Sequence, residues 1–504
     1  MTRQRVVVVG AGMVGVRFAE ELIKDDRDGR FEVVVLGEEE YEPYNRILLT
    51  ELVAGRADLS GLSLLCPSGI TLRRGAPVSA IDRDARTVTA GGETWPYDHL
   101  VLATGARARV PRVPGLDGPA VEGLPGGVFV LRSVDDARGI TAAALNARRA
   151  VVIGGGPLGV EAACGMRLRG VDVDVVSFAG HLLDRDLDPE PGRLLADAVA
   201  DLGIGFHGEA ALASVGVDEH GHVDAVVLDD GRTLAADLLV LACGAVPETA
   251  LAAAAGLETA HGIVVGDDLA TTRDPRVHAI GDCAQTPSGT AGLVAPGWDQ
   301  ARSLARRLVD GVASEAVPVQ LDGAAMRLKA AGVSLVAMGR KASNAGDARV
   351  LTLNDASARR YVEVVVEGDE LVGMTCLGSA DLAASLSVQF GRRGVLPLDP
   401  LALLAPTAGA APASAGSPTT MPGSTTVCRC NGVTKRDLVH AWDCGATSLD
   451  ALAADTRATT GCGGCRSLVC GIVDWLQASD PDDPGTEPTS HATSDAREPV
   501  VKGA

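Results

Sequence analysis

Arg5-Val6-Val7-Val8-Val9-Gly10-Ala11-Gly12-Met13-Val14-Gly15 is the stretch that decides the fold. A run of valines with no polar alternation reads as a parallel strand buried on both faces. Three glycines follow at the GxGxxG spacing, and an amphipathic helix continues through Met13, Phe18, Leu22 and Ile23. Phe31 to Leu36 read as the next strand, which completes a βαβ unit. Missing side chains at Gly10, Gly12 and Gly15 let a pyrophosphate approach backbone amides at the positive end of a helix. Glu38 stands just past the second strand, where a carboxylate holds ribose hydroxyls.

The same grammar returns at Ala150 to Ile153, then Gly154-Gly155-Gly156-Pro157-Leu158-Gly159, a helix, and a strand at Val171 to Val176. Gly154, Gly156 and Gly159 therefore mark a second dinucleotide cradle. The acid expected after its second strand is missing: Ser177 and Phe178 stand there, and no arginine immediately replaces it to hold a 2′-phosphate. The choice between NADH and NADPH stays open. Glu161, just past the third glycine, is the candidate catalytic residue if it faces a nicotinamide; the other reading is a residue that caps and solvates a helix turn.

Leu100 to Gly105 and Leu239 to Gly244 are apolar strands ending in small-residue turns, matching elements of two similar domains. A strand near Val277 to Gly281 runs into Asp282, and 299–310 read as the helix after it, so the first domain resumes after the second. The expected fold class is α/β, with two Rossmann-like dinucleotide-binding domains, a small α+β domain and a small helical domain at the carboxyl end. The expected boundaries are 1–115 with 248–318, then 116–247, 319–400, a flexible linker at 401–426, a cysteine domain at 427–477 and a disordered tail at 478–504. The linker's Ala, Pro, Gly, Ser and Thr cannot bury enough surface to order themselves.

Cys428, Cys430, Cys462 and Cys465 form CxC, then 31 residues, then CxxC. Thiolates packed in such pairs point to a metal centre rather than disulfides, an iron–sulfur cluster or its rival, zinc. The other seven cysteines, Cys66, Cys164, Cys243, Cys283, Cys376, Cys444 and Cys470, read as buried neutral thiols.

Composition narrows the partners. The 504 residues carry a net charge of -20, without the basic face that nucleic-acid binding needs. No stretch offers the roughly 20 apolar residues of a membrane span. The first strand begins too early to leave room for a signal peptide, so the expected location is cytoplasmic.

With these motifs in place, the chain resembles flavoprotein disulfide-reductase relatives with two dinucleotide folds. The resemblance implies FAD on the first cradle, NAD(P)H on the second, and Asp282, in the late Gly281-Asp282, on the ribityl chain. The segment Glu38 to Leu49, with Gly292 to Gly297 and Met326 to Val333, is similar to the assimilatory NAD(P)H nitrite reductase large subunit and its electron-transfer relatives. By that likeness Arg46 sits on the FAD pyrophosphate; the plainer reading pairs it with the acidic run Glu38 to Glu42. The cysteine set resembles the bacterioferritin-associated ferredoxin-like domain, which implies a 2Fe-2S cluster on its four thiolates.

No CxxxxC or CxxC dithiol accompanies the first cradle, so flavin electrons need another exit. Further cysteine pairs for a sirohaem-linked cluster are also missing. The expectation is an electron-supplying component that passes electrons from NAD(P)H through FAD and 2Fe-2S to a partner, nitrate or nitrite reductase. The alternatives are the α subunit of an opine or amine oxidase, and a redox-sensing binding module.

Overall fold

The computed structural model describes residues 3–479 apart from 65, 67, 117–122, 291, 312–325, 331, 393–395, 397–398, 405–417, 420, 429–430 and 461–464. The chain divides into two compact units, Met1–Pro412 and Ala413–Ala504.

Val6, Val7 and Val8 are fully buried, as a central parallel strand requires. The strand Gln4–Val9 lies parallel to Phe31–Leu36 on one side and to His99–Leu102 on the other. The first sheet has six strands, in the order Ala270–Thr271, Asp274–Ala279, His99–Leu102, Gln4–Val9, Phe31–Leu36, Ile70–Arg73. Asp274–Ala279 runs parallel to His99–Leu102. Late residues thus return to the first sheet and bring Asp282 to the edge where Gly10 begins the glycine turn.

The second sheet is built the same way from Ile204–His207, Asp172–Val176, Arg149–Ile153, Leu238–Leu241 and Val128–Val130, all parallel. Two short antiparallel strands, Ala106–Ala108 and Ala245–Pro247, tie the chain passing between the two sheets. A third, antiparallel sheet of five strands runs in the order Met326–Leu328, Leu335–Gly339, Glu370–Leu377, Arg360–Glu367, Arg349–Asp355. The helix Ala380–Arg392 accompanies it.

The second unit has a short hairpin, Thr426–Cys428 with Val433–Thr434, and helices Lys435–Asp443, Leu449–Thr456 and Arg466–Ser479. Leu438, Leu452, Val469 and Ile472 are fully buried in its core.

Several details differ from the sequence reading. The helix expected over 299–310 begins earlier, at Val294, because Pro296 and Gly297 occupy its first turn, where proline costs no hydrogen bond. Cys444 is exposed rather than buried, with its sulfur 3.9 Å from the His440 ring, and Cys66, Cys243 and Cys470 are only partly buried. Leu404 and Met421, both inside the segment read as linker, are buried in the cores of the first and second unit respectively. The rest of the linker reading falls mainly on 405–417, outside the described residues, as does most of the tail. Among the described residues no helix is long and apolar enough to cross a membrane.

Candidate active site

Both glycine turns are built alike, and each separates packing glycines from one that packing does not explain. A Cβ on Gly10 would stand 2.2 Å from the Ala103 carbonyl oxygen, and one on Gly15 would stand 2.1 Å from that of Gly10. Gly10 also has φ +114°, which only glycine adopts readily. Gly12 is different, because nothing lies within 4 Å of its missing Cβ. It is the N-cap of the helix Met13–Asp25, with no side-chain cap. In the second turn a Cβ on Gly154 would meet the Ala242 oxygen at 2.3 Å and one on Gly159 the Gly154 oxygen at 2.0 Å, while Gly156 has open space and caps Pro157–Leu168. An open glycine at an uncapped helix N-terminus fits a pyrophosphate at each turn.

Around the first turn, Glu38 is exposed just beyond the strand Phe31–Leu36. Arg46 pairs with Glu39, a member of the acidic run, and lies over the Tyr44 ring at 4.8 Å. Its Nη1 also donates to the Arg132 carbonyl at 3.0 Å. Asp282 accepts from the Arg132 guanidinium at 2.5 Å. Arg132 therefore links the two residues expected at the flavin, and sequence reasoning missed it. Its one local signal is the Ser133–Asp136 capping box beside it, whose Asp136 carboxylate also accepts the Arg132 backbone N–H.

Glu161 is 5% exposed and lies on the first turns of the helix after the second cradle. Its carboxylate accepts from the Thr50 hydroxyl at 2.7 Å and from the Lys329 backbone N–H at 2.8 Å, with Lys329 Nζ at 3.5 Å. It is neither a free acid nor a solvated helix-turn residue. Three segments far apart in the chain meet at this buried carboxylate, and Thr50 and Lys329 were not singled out from the sequence.

The first unit holds no disulfide among the described residues. Burial pushes the Cys164 and Cys243 thiols up to about 11 and raises that of Cys283, so they stay neutral and poorly nucleophilic at neutral pH.

In the second unit, Cys428 is buried at the end of its strand, and Cys465 packs against the same core. The Cys465 carbonyl accepts the Val469 N–H at 2.9 Å, which sets Cys465 at the start of the last helix. Asn431, 8% exposed, donates from Nδ2 to the Arg457 carbonyl at 2.5 Å and to Thr460 Oγ1 at 3.2 Å, with Cys428 Sγ also in reach at 3.7 Å. Cys430 and Cys462 lie outside the described residues. The described half of the thiolate set fits a buried sulfur-ligated cluster.

Residues 4–301 match the pyridine nucleotide-disulphide oxidoreductase family, more than half of the chain. The chain belongs to this family. Residues 426–475 match the BFD-like [2Fe-2S] binding domain, so its cofactors are FAD, a pyridine nucleotide and a 2Fe-2S cluster. The chain is 36% identical to the nitrite reductase [NAD(P)H] large subunit of Klebsiella oxytoca, over 95% of this chain and 49% of that protein. It is 32% identical to the assimilatory nitrate reductase electron transfer subunit of Bacillus subtilis, over 99% of this chain and 63% of that protein. It thus spans about half to two-thirds of the length of these relatives. Among solved structures, a ferredoxin reductase from Rhodopseudomonas palustris superposes with a TM-score of 0.67 at 29% identity, covering 78% of this chain and 96% of that one.

Proposed function

We propose that this family member takes electrons from NAD(P)H and delivers them to a partner reductase of nitrate or nitrite assimilation. FAD seated on the first cradle would supply hydride acceptance and single-electron release, and a 2Fe-2S cluster held by the four cysteines would supply one-electron carriage. The carrying observation is the joining, in one chain, of two open glycine cradles to a cysteine domain, while Cys164, Cys243, Cys283 and Cys376 of the first unit are kept neutral by burial. Thiol exchange is thereby disfavoured as the exit for electrons.

The residues divide the work. Gly10, Gly12 and Gly15 seat the FAD pyrophosphate, Glu38 takes a ribose hydroxyl, and Arg132 holds Asp282 and the Arg46 side chain at the same edge. Gly154, Gly156 and Gly159 seat the nicotinamide cofactor, and Glu161 is a fixed negative charge beside that seat. Cys428, Cys430, Cys462 and Cys465 hold the cluster. The names of the two relatives support nitrate or nitrite reductase as the acceptor. Cysteines outside any disulfide among the described residues and a pyridine-nucleotide donor suit a reducing, cytoplasmic compartment.

The complete second cradle favours this reading over an amine oxidase, in which a nicotinamide seat has no task. Anaerobic NADH or NADPH added to the purified chain should bleach the flavin absorbance and then the cluster absorbance. Bleaching by an amine substrate and not by either nucleotide would transfer the protein to the oxidase class.

A further inference from the structure

The second cradle lacks an acid at the end of its second strand, yet a carboxylate from just past the third strand lies against the turn that follows. Ser177, which follows Asp172–Val176, is 5% exposed and turned toward the glycine loop: a Cβ on Gly155 would lie 2.9 Å from its Oγ. Its hydroxyl accepts the Ala179 N–H at 3.3 Å. The next strand, Ile204–His207, runs parallel beside it with His207 opposite Val176. Ala210 N–H then donates to the Ser177 carbonyl at 3.0 Å, and Glu209 N–H to that of Ala179 at 3.2 Å.

Glu209 has φ +53°, a left-handed conformation that disfavours an L side chain. Its side chain is laid along the 177–180 turn, with Oε1 3.1 Å from where a Cβ on Gly180 would stand. Glycine at 180 makes that approach possible, and Glu209 remains exposed to whatever enters. In open parallel sheets the ligand lies just beyond the carboxyl ends of the strands, and the adenosine ribose rests by the end of the second one. One nearby cation is engaged elsewhere: Arg232 holds Asp230 at 2.7 Å and the His207 ring at 2.9 Å. Phe178, 75% exposed, flanks the same turn as an apolar surface for a base.

We propose that Glu209 replaces the missing acid, accepting the ribose hydroxyls of NADH and repelling the 2′-phosphate of NADPH. This rests on the reading that the second cradle seats the nicotinamide donor. The test is anaerobic stopped-flow reduction of the FAD-loaded full chain by each nucleotide. The natural chain should be reduced at least tenfold more efficiently by NADH. Glu209→Gln should narrow that ratio at least fivefold, chiefly by improving NADPH. Glu209→Asn, which tolerates the left-handed backbone, should do the same. A gain with NADPH is not what loss of a merely structural side chain produces. A natural chain that prefers NADPH, or shows no preference, overturns the proposal; exposed Arg185, on the same connection, would then be the phosphate's partner. So does a ratio in both variants within twofold of the natural one. Reduction by neither nucleotide would instead overturn the donor reading itself, and this assignment with it.

Discussion

Replacing Lys329 with methionine tests whether the carboxylate at the meeting of three segments depends on its counter-ion. Glu161 and Thr50 are 5% and 3% exposed, so the charge has little water around it. The Lys329 side chain, 16% exposed, keeps a path to solvent. Lys329→Met removes the ammonium at 3.5 Å but leaves the two neutral donors, the Lys329 backbone N–H and the Thr50 hydroxyl. Breaking a buried pair from one side costs about 3 to 5 kcal/mol, and the surviving hydrogen bonds place this case at the lower end, about 3 kcal/mol. Glu161→Gln should cost about 1 kcal/mol, because lysine can extend its ammonium toward water whereas the carboxylate cannot leave. The double variant should then be more stable than the sum of the singles predicts by at least about 1 kcal/mol. Urea unfolding followed by flavin fluorescence measures all four corners of the cycle. A Lys329→Met chain within about 0.5 kcal/mol of the natural one, or strict additivity in the double variant, would refute the reasoning.

Three more expectations follow from individual contacts. Gly12→Ala should fold normally but bind FAD at least tenfold more weakly, whereas Gly15→Ala, which drives a Cβ to 2.1 Å from the Gly10 oxygen, should lose thermal stability before binding is even measured; flavin content beside a melting curve separates them. His278 is 4% exposed, neither ring nitrogen reaches a partner at hydrogen-bonding geometry, and burial, aided by the His99 ring, pushes it down to about 4. The unfolded chain binds that proton first as pH falls, so stability is complete above about pH 6.5 and declines toward pH 4, by about 2 kcal/mol at pH 5; His278→Phe should remove that portion from urea curves at pH 7.5 and 5. Asn431→Ala removes an N–H in reach of Cys428 sulfur, so the cluster's reduction potential should fall in a redox titration followed by its paramagnetic signal.

What could be read from the sequence was set by local backbone chemistry. Val6 to Val9 and Ala150 to Ile153 announce buried parallel strands by composition, and glycine spacing announces turns whose steric demands lie within a few residues or on the adjoining strand. The open places of Gly12 and Gly156 at their helix N-termini were legible for the same reason, since they follow directly from the strand and helix around them. The partners were not legible. Thr50 and Lys329 reach Glu161 across 111 and 168 residues, and Arg132 reaches Asp282 across 150, distances that only the returning topology closes. Glu209 shows the two cases at one site. The absence of an acid at Ser177 is visible in the sequence because the motif specifies a position along the strand. Its replacement is invisible there, because it comes from a residue 32 places further on that becomes a neighbour only when the third strand lies in register with the second. On the Glu209 assignment, cofactor preference in this chain is set by the sheet's carboxyl edge as a whole. A motif test that inspects one strand end will misassign any chain in which the charge has moved to the next.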